Sequence, residues 1–476
     1  MTMQSNQSRK SRQPFSPRPA QIDLMGKIME GNARAFLKPG RGKTSCCFFA
    51  FEMLKELGMV DTMLVLGPLR VVTTSWASEL DKWEGLENIT CSLIHGDIPG
   101  KMATPADVYL MNVEGLLSEQ WRLTDKKEPN EAARQWLKSK GKVLLIVDES
   151  TLFKNPNTRR FATLRKYLPY INRKVILTGT PRPGTLADLF SQCYITDQGK
   201  DLGKFITHFR RSYMQPTWDG FGWEERPGSA DEVAKKIAAT TVMSDPEDKD
   251  MPTREHCLLA PLTEDLKKQY KELEREFILE LENASIQAIN SGVLYGKLRQ
   301  FAQGAIFGDG GKLHEIHDLK LQLLENLLRE LGGEPAFCLV AYTHDYDRIS
   351  EYLGYDVPKI GAGVSARAGA ELCDRFGRGE IPLLLGHPQS VARGIDGLQK
   401  SCSNVIWFAI DPSWEQTYQA NLRVVRSGNT AGSVDIYRLM LNCSIEHALL
   451  KKIDAKEENE KNFLLGLRDI IVQEGC

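Results

Sequence analysis

The sequence predicts an α/β protein made of two similar lobes, and three observations carry that reading. Short apolar runs, "ARAFL", "TMLVLGP", "DVYLM", "VLLIVDE" and "KVILTGT", alternate with helix-like stretches from Gln21 onward. Runs this short and this continuously apolar are the mark of parallel strands buried on both faces. A second series, "AFCLVAY", "IPLLLGH", "SNVIWFAI" and "VDIYRLML", repeats the pattern later in the chain. Between the two series the composition changes, which separates one lobe from the other.

Taken in order, residues 1–16 are polar and proline-containing and predict a flexible tail. Residues 17–260 form the first lobe, with an insertion at about 200–250 that is rich in charge, aromatics, Gly and Pro ("QPTWDGFGWEERPGS"). Residues 261–311 predict a helical connector, because "LKKQYKELEREFILELENASIQAI" repeats apolar residues at three- and four-residue spacing. Residues 312–455 form the second lobe, and 456–476 a C-terminal helix or tail.

Composition excludes several classes. The 61 Lys+Arg and 62 Asp+Glu leave a formal charge of −1, so any nucleic acid must be held by local patches. The run Ser8-Arg9-Lys10-Ser11-Arg12 reads as a solvated tail. Ten scattered cysteines, without metal-ligand spacing, predict reduced thiols in a reducing compartment. No apolar run reaches the ~18 residues of a membrane span, which predicts a soluble cytoplasmic protein. The eight histidines show no metal-ligand spacing either.

The chemistry begins at "LKPGRGKTS", residues 37–45. Gly40 and Gly42 permit backbone angles that turn successive N–H groups toward phosphate oxygens, and the helix that follows presents its positive end. Lys43 would reach the β- and γ-phosphates of ATP, and the Thr44 hydroxyl would coordinate Mg²⁺, with Ser45 beside it. The outer glycine of the usual loop is Leu37 here. "VLLIVDEST" then places Asp148 and Glu149 at the end of an apolar strand, where ligands bind in open α/β sheets. Asp148 would complete the Mg²⁺ site through water, and Glu149 would orient and polarise the attacking water. "QANLRVVRSGN" spaces Gln419, Arg423 and Arg426 at i, i+4 and i+7, which predicts one helix face. An arginine delivered from a second lobe onto the γ-phosphate stabilises transition-state charge.

These segments, with others between them, resemble in order the motifs of a Swi/Snf-family ATPase of helicase superfamily two, from about Arg18 to Ala448. "PRPAQ" resembles the adenine-sensing Q motif, with Gln21 as the reader, and in this superfamily the loop lacks the outer glycine. "GPLRVVTTSWASELDKW" resembles motif Ia, "MNVEGL" the next DNA-facing motif and "DESTLFKNPNT" the DEAH-then-KN segment, with Ser150-Thr151 for Ala-His. "LTGTPRPGTLADLFSQ" resembles motif III, where Thr178 and Thr180 would couple nucleotide state to lobe movement. "DMPTREHCLLAPLTEDLKKQY" and "KLRQFAQG" resemble the exit from lobe 1 and the approach to lobe 2. "LVAYTHDYDRISEYL", "HPQSVARGIDGL" and "QANLRVVRSGN" resemble motifs IV, V and VI; motif V reads partly like the DEAD-box form, and Asn429 stands where Gln is usual.

The resemblance implies two tandem RecA-like lobes, each a parallel sheet flanked by helices. It implies ATP and Mg²⁺ as cofactors, hydrolysis to ADP and phosphate, and movement on duplex DNA gripped through its phosphates. Gly394, Asp396 and Gln419 join the nucleotide-binding set; Arg70, Asn112, Thr343, Ser390 and Arg393 are the DNA-contact candidates, each with a loop or helix-cap alternative. Compact chains of this kind resemble those of bacteriophages and bacteria. That implies host cytoplasm and work beside replication, recombination or repair proteins; the oligomeric state stays open, with a monomer favoured.

Two aromatic groups have competing readings. Trp76, Glu79 and Trp83 fall at i, i+3 and i+7, and a buried helix face is the expected role rather than base stacking. Trp218, Phe221 and Trp223 sit in a predicted hairpin, which either packs on its own lobe or wedges into DNA. Three functions therefore compete: a duplex translocase, a strand-separating or branch-migrating helicase, and a nucleotide-gated DNA-binding scaffold with little turnover.

Overall fold

A computed structural model describes residues 12–217, 222–244, 251–282, 288–361, 363–392, 397–426 and 428–474. The chain forms two compact units: residues up to 248 with those from 458, and residues 249–457.

In the first unit, strands β1 (Ala33–Phe36), β2 (Thr62–Gly67), β3 (Cys91–Ile94), β4 (Val108–Asn112), β5 (Val143–Asp148) and β6 (Arg173–Thr178) lie in one sheet. A hairpin of β7 (Met214–Pro216) and β8 (Trp223–Glu225) follows, and β9 (Thr241–Met243) returns to the sheet edge. The order is β3-β4-β2-β5-β6-β1-β9, and every neighbouring pair is parallel. All six residues of β2 and of β5 are buried, as helices on both faces require.

The pleat sorts these side chains by parity. Val143, Leu145 and Val147 join the apolar cluster of one face, with Leu66, Tyr109 and Ile176. Leu144 and Ile146 join that of the other, with Val65, Leu110, Val175 and Leu177. The helix Lys43–Glu56 packs on this second face through Cys46, Cys47, Phe48, Phe51 and Leu54. Period two therefore assigns Asp148, at the end of β5, to the face that carries that helix.

One charge is buried at the other end of the sheet. Arg34 of β1 is 1% exposed, and its guanidinium donates to Asp197 at 2.7 Å, Asp201 at 2.8 Å, Thr196 at 3.0 Å and Thr240 at 2.6 Å. Pairing of this kind is what permits a charge inside an apolar run.

In the second unit, β10 (Thr253–Ala260), β13 (Ala336–Leu339), β14 (Lys359–Ile360), β15 (Leu383–Gly386), β16 (Asn404–Trp407) and β17 (Val434–Leu441) form a parallel sheet of order β10-β17-β16-β13-β15-β14. A small antiparallel pair, β11 (Ala305–Phe307) and β12 (Leu313–Glu315), stands apart. Two parallel-sheet α/β lobes are thus the architecture, as the two apolar series predict.

The boundaries differ from expectation for a physical reason. β10 pairs with β17 over its whole length, so the division falls at 248/249 and not at 260. The stretch expected to be a connector is two helices, Glu264–Glu282 and Ala288–Gln303. Their residues Tyr270, Leu298 and Phe301 pack in one core with Met440, Leu441 and Ile445, so they belong to this unit. Helix Ser444–Glu474 begins in the second unit, and its residues from Glu458 fold with the first, where Phe463 and Leu467 are buried.

A buried ion pair ties that helix start to its unit. The Lys320 ammonium donates to Glu446 at 2.5 Å, to the Phe408 carbonyl at 3.0 Å and to Gln303 at 3.3 Å, while Glu446 also accepts from the Leu441 amide at 2.5 Å. Removing one partner strands the other charge, so Lys320→Met should cost about 3–5 kcal/mol. Urea unfolding reads this directly. Adding Glu446→Gln should restore part of the loss, and equal midpoints for wild type and Lys320→Met would show that the pair contributes nothing.

Candidate functional site

The candidate residues of the first unit gather at the C-terminal edge of its sheet. β1 and β5 flank β6, so the loop after β1 and the end of β5 stand two strand spacings apart, ~10 Å. The end of β6 fills the interval with Thr178-Gly179-Thr180.

Gly40 and Gly42 both adopt left-handed backbone angles, φ 76° and 73°, which side-chain-bearing residues rarely take. At Gly42 a Cβ would also meet the Gln21 amide at 2.2 Å. The helix Lys43–Glu56 starts directly after Gly42, so its first-turn N–H groups converge with the loop's. The Lys43 ammonium donates to the carbonyls of Leu37 at 2.6 Å and Lys38 at 3.2 Å, which holds it over the loop. Thr44 is half-buried in the first helical turn; Ser45 is buried, and its hydroxyl donates to the Gly42 carbonyl at 3.0 Å.

Gln21 lies against this loop. Its carbonyl oxygen accepts from the Arg18 amide at 2.8 Å, closing the start of helix Pro19–Glu30, and its amide reaches the Gly42 carbonyl at 3.4 Å. The position expected to read adenine thus also braces the loop.

Asp148 is 6% exposed. Its Oδ2 accepts from the Trp76 indole at 2.7 Å and its Oδ1 from the Glu149 amide at 3.0 Å. Burial pushes its carboxyl up, while the Trp76 indole, the Lys43 ammonium and the Glu149 amide pull it down. Glu149 is half-buried with φ 53°, a left-handed angle on a residue that bears a side chain. That conformation redirects the chain into the short helix Ser150–Phe153. A phosphate-sized cradle of left-handed glycines, an ammonium, and a carboxylate that feels its charge fit a triphosphate with a divalent cation.

The loop after β6 is held on several sides. Thr178 is fully buried, and its hydroxyl accepts from the Thr180 amide at 3.1 Å. Ser150 donates to Gln192 at 2.7 Å, and the Gln192 amide donates to the Pro181 carbonyl at 2.6 Å. The segment after Asp148 and the loop after Thr178 therefore share one side chain. Arg182 bonds Glu225 of β8 at 2.5 Å; its amide donates to Glu460 at 3.3 Å, and its guanidinium lies 5.2 Å from the Phe463 ring centre. Gly179 touches the phosphate loop, since a Cβ there would lie 2.8 Å from Pro39 Cδ. Gly179→Ala should push that loop and weaken nucleotide binding about tenfold, in line with the 1–3 kcal/mol cost of overpacking. Calorimetric titration with ADP checks it, and unchanged affinity would mean the loop yields freely.

In the second unit, helix Trp414–Asn421 carries Gln419 but stops before the two arginines. The expected single helix face for Gln419, Arg423 and Arg426 is therefore corrected. Arg423 and Arg426 sit on tight turns, with the Arg423 amide donating to Ala420 and the Arg426 amide to Val424. Val424 and Val425 are drawn into the core, and Asn429 donates to the carbonyls of Val424 at 3.0 Å and Cys402 at 2.9 Å. Asn429, where the related motif usually has Gln, ties the turn at Val424 to Cys402.

The described DNA-contact candidates fall just past the C-terminal ends of strands in both units, Arg70, Thr343 and Ser390 in the first turns of helices and Asn112 as the last residue of β4. Half-buried Arg70 follows β2, and Asn112 ends the neighbouring β4, where it accepts from the Glu114 amide at 3.3 Å and caps a short helix. Exposed Thr343 follows β13, and half-buried Ser390 follows the neighbouring β15; His387 bonds the Ala341 carbonyl at 3.1 Å and joins these two loops. Arg393, Gly394 and Asp396 lie outside the described residues, as do Trp218 and Phe221 of the hairpin. Trp223 is 37% exposed, with the Arg210 guanidinium 5.4 Å from its ring centre, so this tryptophan packs against its own lobe. Trp76 is fully buried, and Trp83 donates to Glu79 at 2.5 Å.

Trp76, Gly67, Gln192, Glu225, Glu460 and Phe463 are the site neighbours that sequence reasoning did not assign. A Cβ on Gly67 would lie 3.5 Å from that of Asp148. Strand parity and the need of a buried indole for an acceptor point to Trp76. Nothing local in the sequence points to Glu460 or Phe463.

Comparison with known proteins gives the family. A family model described as SNF2-related domain matches residues 36–300. Putative protein p41 of Acyrthosiphon pisum secondary endosymbiont phage 1 is 28% identical over 93% of this chain and 96% of its own length. Chromodomain-helicase-DNA-binding protein 8 of Danio rerio is 23% identical over 88% of this chain, and this chain spans only 17% of it. DNA repair protein rhp54 of Schizosaccharomyces pombe is 27% identical over 38% of this chain and 21% of its own length. A solved structure of the Sulfolobus solfataricus SWI2/SNF2 ATPase core in complex with dsDNA aligns at TM-score 0.42 and 20% identity, over 97% of this chain and 95% of that one. The chain belongs to the SNF2-related family, the Swi/Snf-type ATPases of helicase superfamily two.

Proposed function

We propose that this protein is a DNA-stimulated ATPase that moves along duplex DNA. The observation that carries the reading is the convergence of Lys43, Asp148 and Glu149 on one sheet edge in a chain of this family. Relatives named for DNA binding and DNA repair support DNA as the partner. The phage relative, matched over nearly its whole length, supports work in a host cytoplasm, in replication, recombination or repair.

In this reading the loop amides after Gly40 and Gly42 bind the phosphates, and Lys43 exchanges loop carbonyls for phosphate oxygens. Thr44 and Asp148 hold the Mg²⁺ site, Asp148 through water. Bound Mg²⁺ neutralises charge on the β- and γ-phosphate oxygens. Glu149 orients the attacking water and takes its proton. Gln21 reads adenine; Gly394, Asp396 and Gln419 complete the nucleotide contacts from the second unit, and Arg423 and Arg426 supply its positive charge. Thr178 and Thr180 couple nucleotide state to movement, while Arg70, Asn112, Thr343, Ser390 and Arg393 grip DNA phosphates.

ATP turnover with no nucleic acid, duplex, single-stranded and forked DNA, and RNA, at one salt concentration, tests the proposal. Strong stimulation by plain duplex is expected. Stimulation by forks or single strands alone would favour strand separation, and none from any would favour a nucleotide-gated scaffold.

A further inference from the structure

Trp76 is a core residue, as its helix spacing predicts, and its buried indole also has a polar partner. Its indole N–H ends on Asp148 Oδ2 at 2.7 Å, with the tryptophan fully buried and the carboxylate 6% exposed. Three features place it there. The parity of β5 aims Asp148 to the face where Val72, Trp76 and Phe48 pack. The Trp76 ring is held by Phe48, centroids 5.4 Å apart. Finally, Val72–Trp76 is a π-helical turn, a form that is rare and concentrates at functional sites.

The sequence "RVVTTSW" builds that turn. Two threonine hydroxyls brace the carbonyls of the helix that leads into it. The Thr73 hydroxyl donates to the Leu69 carbonyl at 2.8 Å, and the Thr74 hydroxyl to the Arg70 carbonyl at 2.7 Å. The extra residue in the turn shifts the register that decides which side chain meets β5.

We propose that Trp76 is a positioning residue for the metal carboxylate: its N–H fixes the orientation of Asp148, and the π turn fixes Trp76. The inference rests on the ATPase reading above and deepens it. Outer-shell donors of this kind orient metal-binding groups, and their loss commonly weakens metal affinity 10–100-fold. Arg70, a DNA-contact candidate, lies in the short helix Leu69–Val71 that runs directly into this turn, so it adjoins the element that holds the metal carboxylate.

The test is ADP binding by calorimetry across a Mg²⁺ series, for wild type, Trp76→Phe, Asp148→Asn and the double variant. Trp76→Phe keeps a ring and removes only the donor. It should raise the half-saturating Mg²⁺ roughly tenfold and leave ADP affinity without Mg²⁺ within about twofold. The double variant should match Asp148→Asn alone, since both changes break one interaction. Unchanged Mg²⁺ dependence in Trp76→Phe, or additive effects in the double variant, would overturn the inference while leaving the ATPase reading intact. Absence of Mg²⁺-dependent ADP binding in wild type would overturn both.

Should Trp76→Phe fail to fold, indole N–H resonances of wild type and Asp148→Asn supply the answer. One indole proton should shift on Asp148→Asn and again on adding Mg²⁺ with ADP to wild type. If no indole resonance responds to Asp148→Asn, Trp76 does not position that carboxylate.

Discussion

Replacing Arg426 by Ala should lower ATP turnover on duplex DNA by ~10³-fold or more, the scale on which a γ-phosphate arginine acts. The tight turn that holds Arg426 has its own anchors in Val424, Val425 and Asn429, so removing the guanidinium leaves the loop in place. DNA affinity, read by fluorescence anisotropy, should therefore stay close to wild type. Unchanged turnover would remove Arg426 from the transition state and leave Arg423 as the candidate. A loss of DNA affinity without loss of DNA-free turnover would move Arg426 to the DNA surface.

Glu149→Gln should lower turnover by about 10²- to 10⁴-fold, the usual contribution of a positioned general base. The amide is nearly isosteric with the carboxylate, and the left-handed backbone at Glu149 comes from the turn into Ser150–Phe153. Nucleotide binding should hence survive, and calorimetry with ATP should show affinity within a few-fold of wild type. Wild-type turnover in this variant would show that water is activated elsewhere. Loss of binding instead would mean that the Glu149 carboxylate itself supports the shape of the nucleotide site.

The fold was legible where burial is uniform. Continuous apolar runs such as "VLLIVD" and "TMLVLG" can be little else than covered parallel strands, and both lie at the centre of their sheet. Edge strands were not legible: β9 has three residues and β3 four, too short to show periodicity. β10 hid for a different reason. Its exposed face carries Thr253, Glu255 and Cys257, so it lacks the apolar run that marks a central strand, and only pairing with β17 assigns it to the second unit.

The phosphate loop and the Asp148-Glu149 pair were legible because their chemistry is local in sequence. The two arginines lie beyond the helix that their spacing predicts. A spacing of i, i+4, i+7 fits a helix, yet the buried Val424-Val425 pair and the Asn429 side chain fix turns instead. Contacts between distant segments, such as Trp76 with Asp148, Gln192 with Pro181 and Arg182 with Glu460, depend on which strands and helices meet. Local pattern carries no record of that.

The central claim is movement along intact duplex, and triplex displacement tests it most directly. A third strand bound to linear duplex should be released when ATP and Mg²⁺ are added, with no release by Glu149→Gln and no separation of the two duplex strands. ATP hydrolysis stimulated by duplex without release of the third strand would contradict translocation.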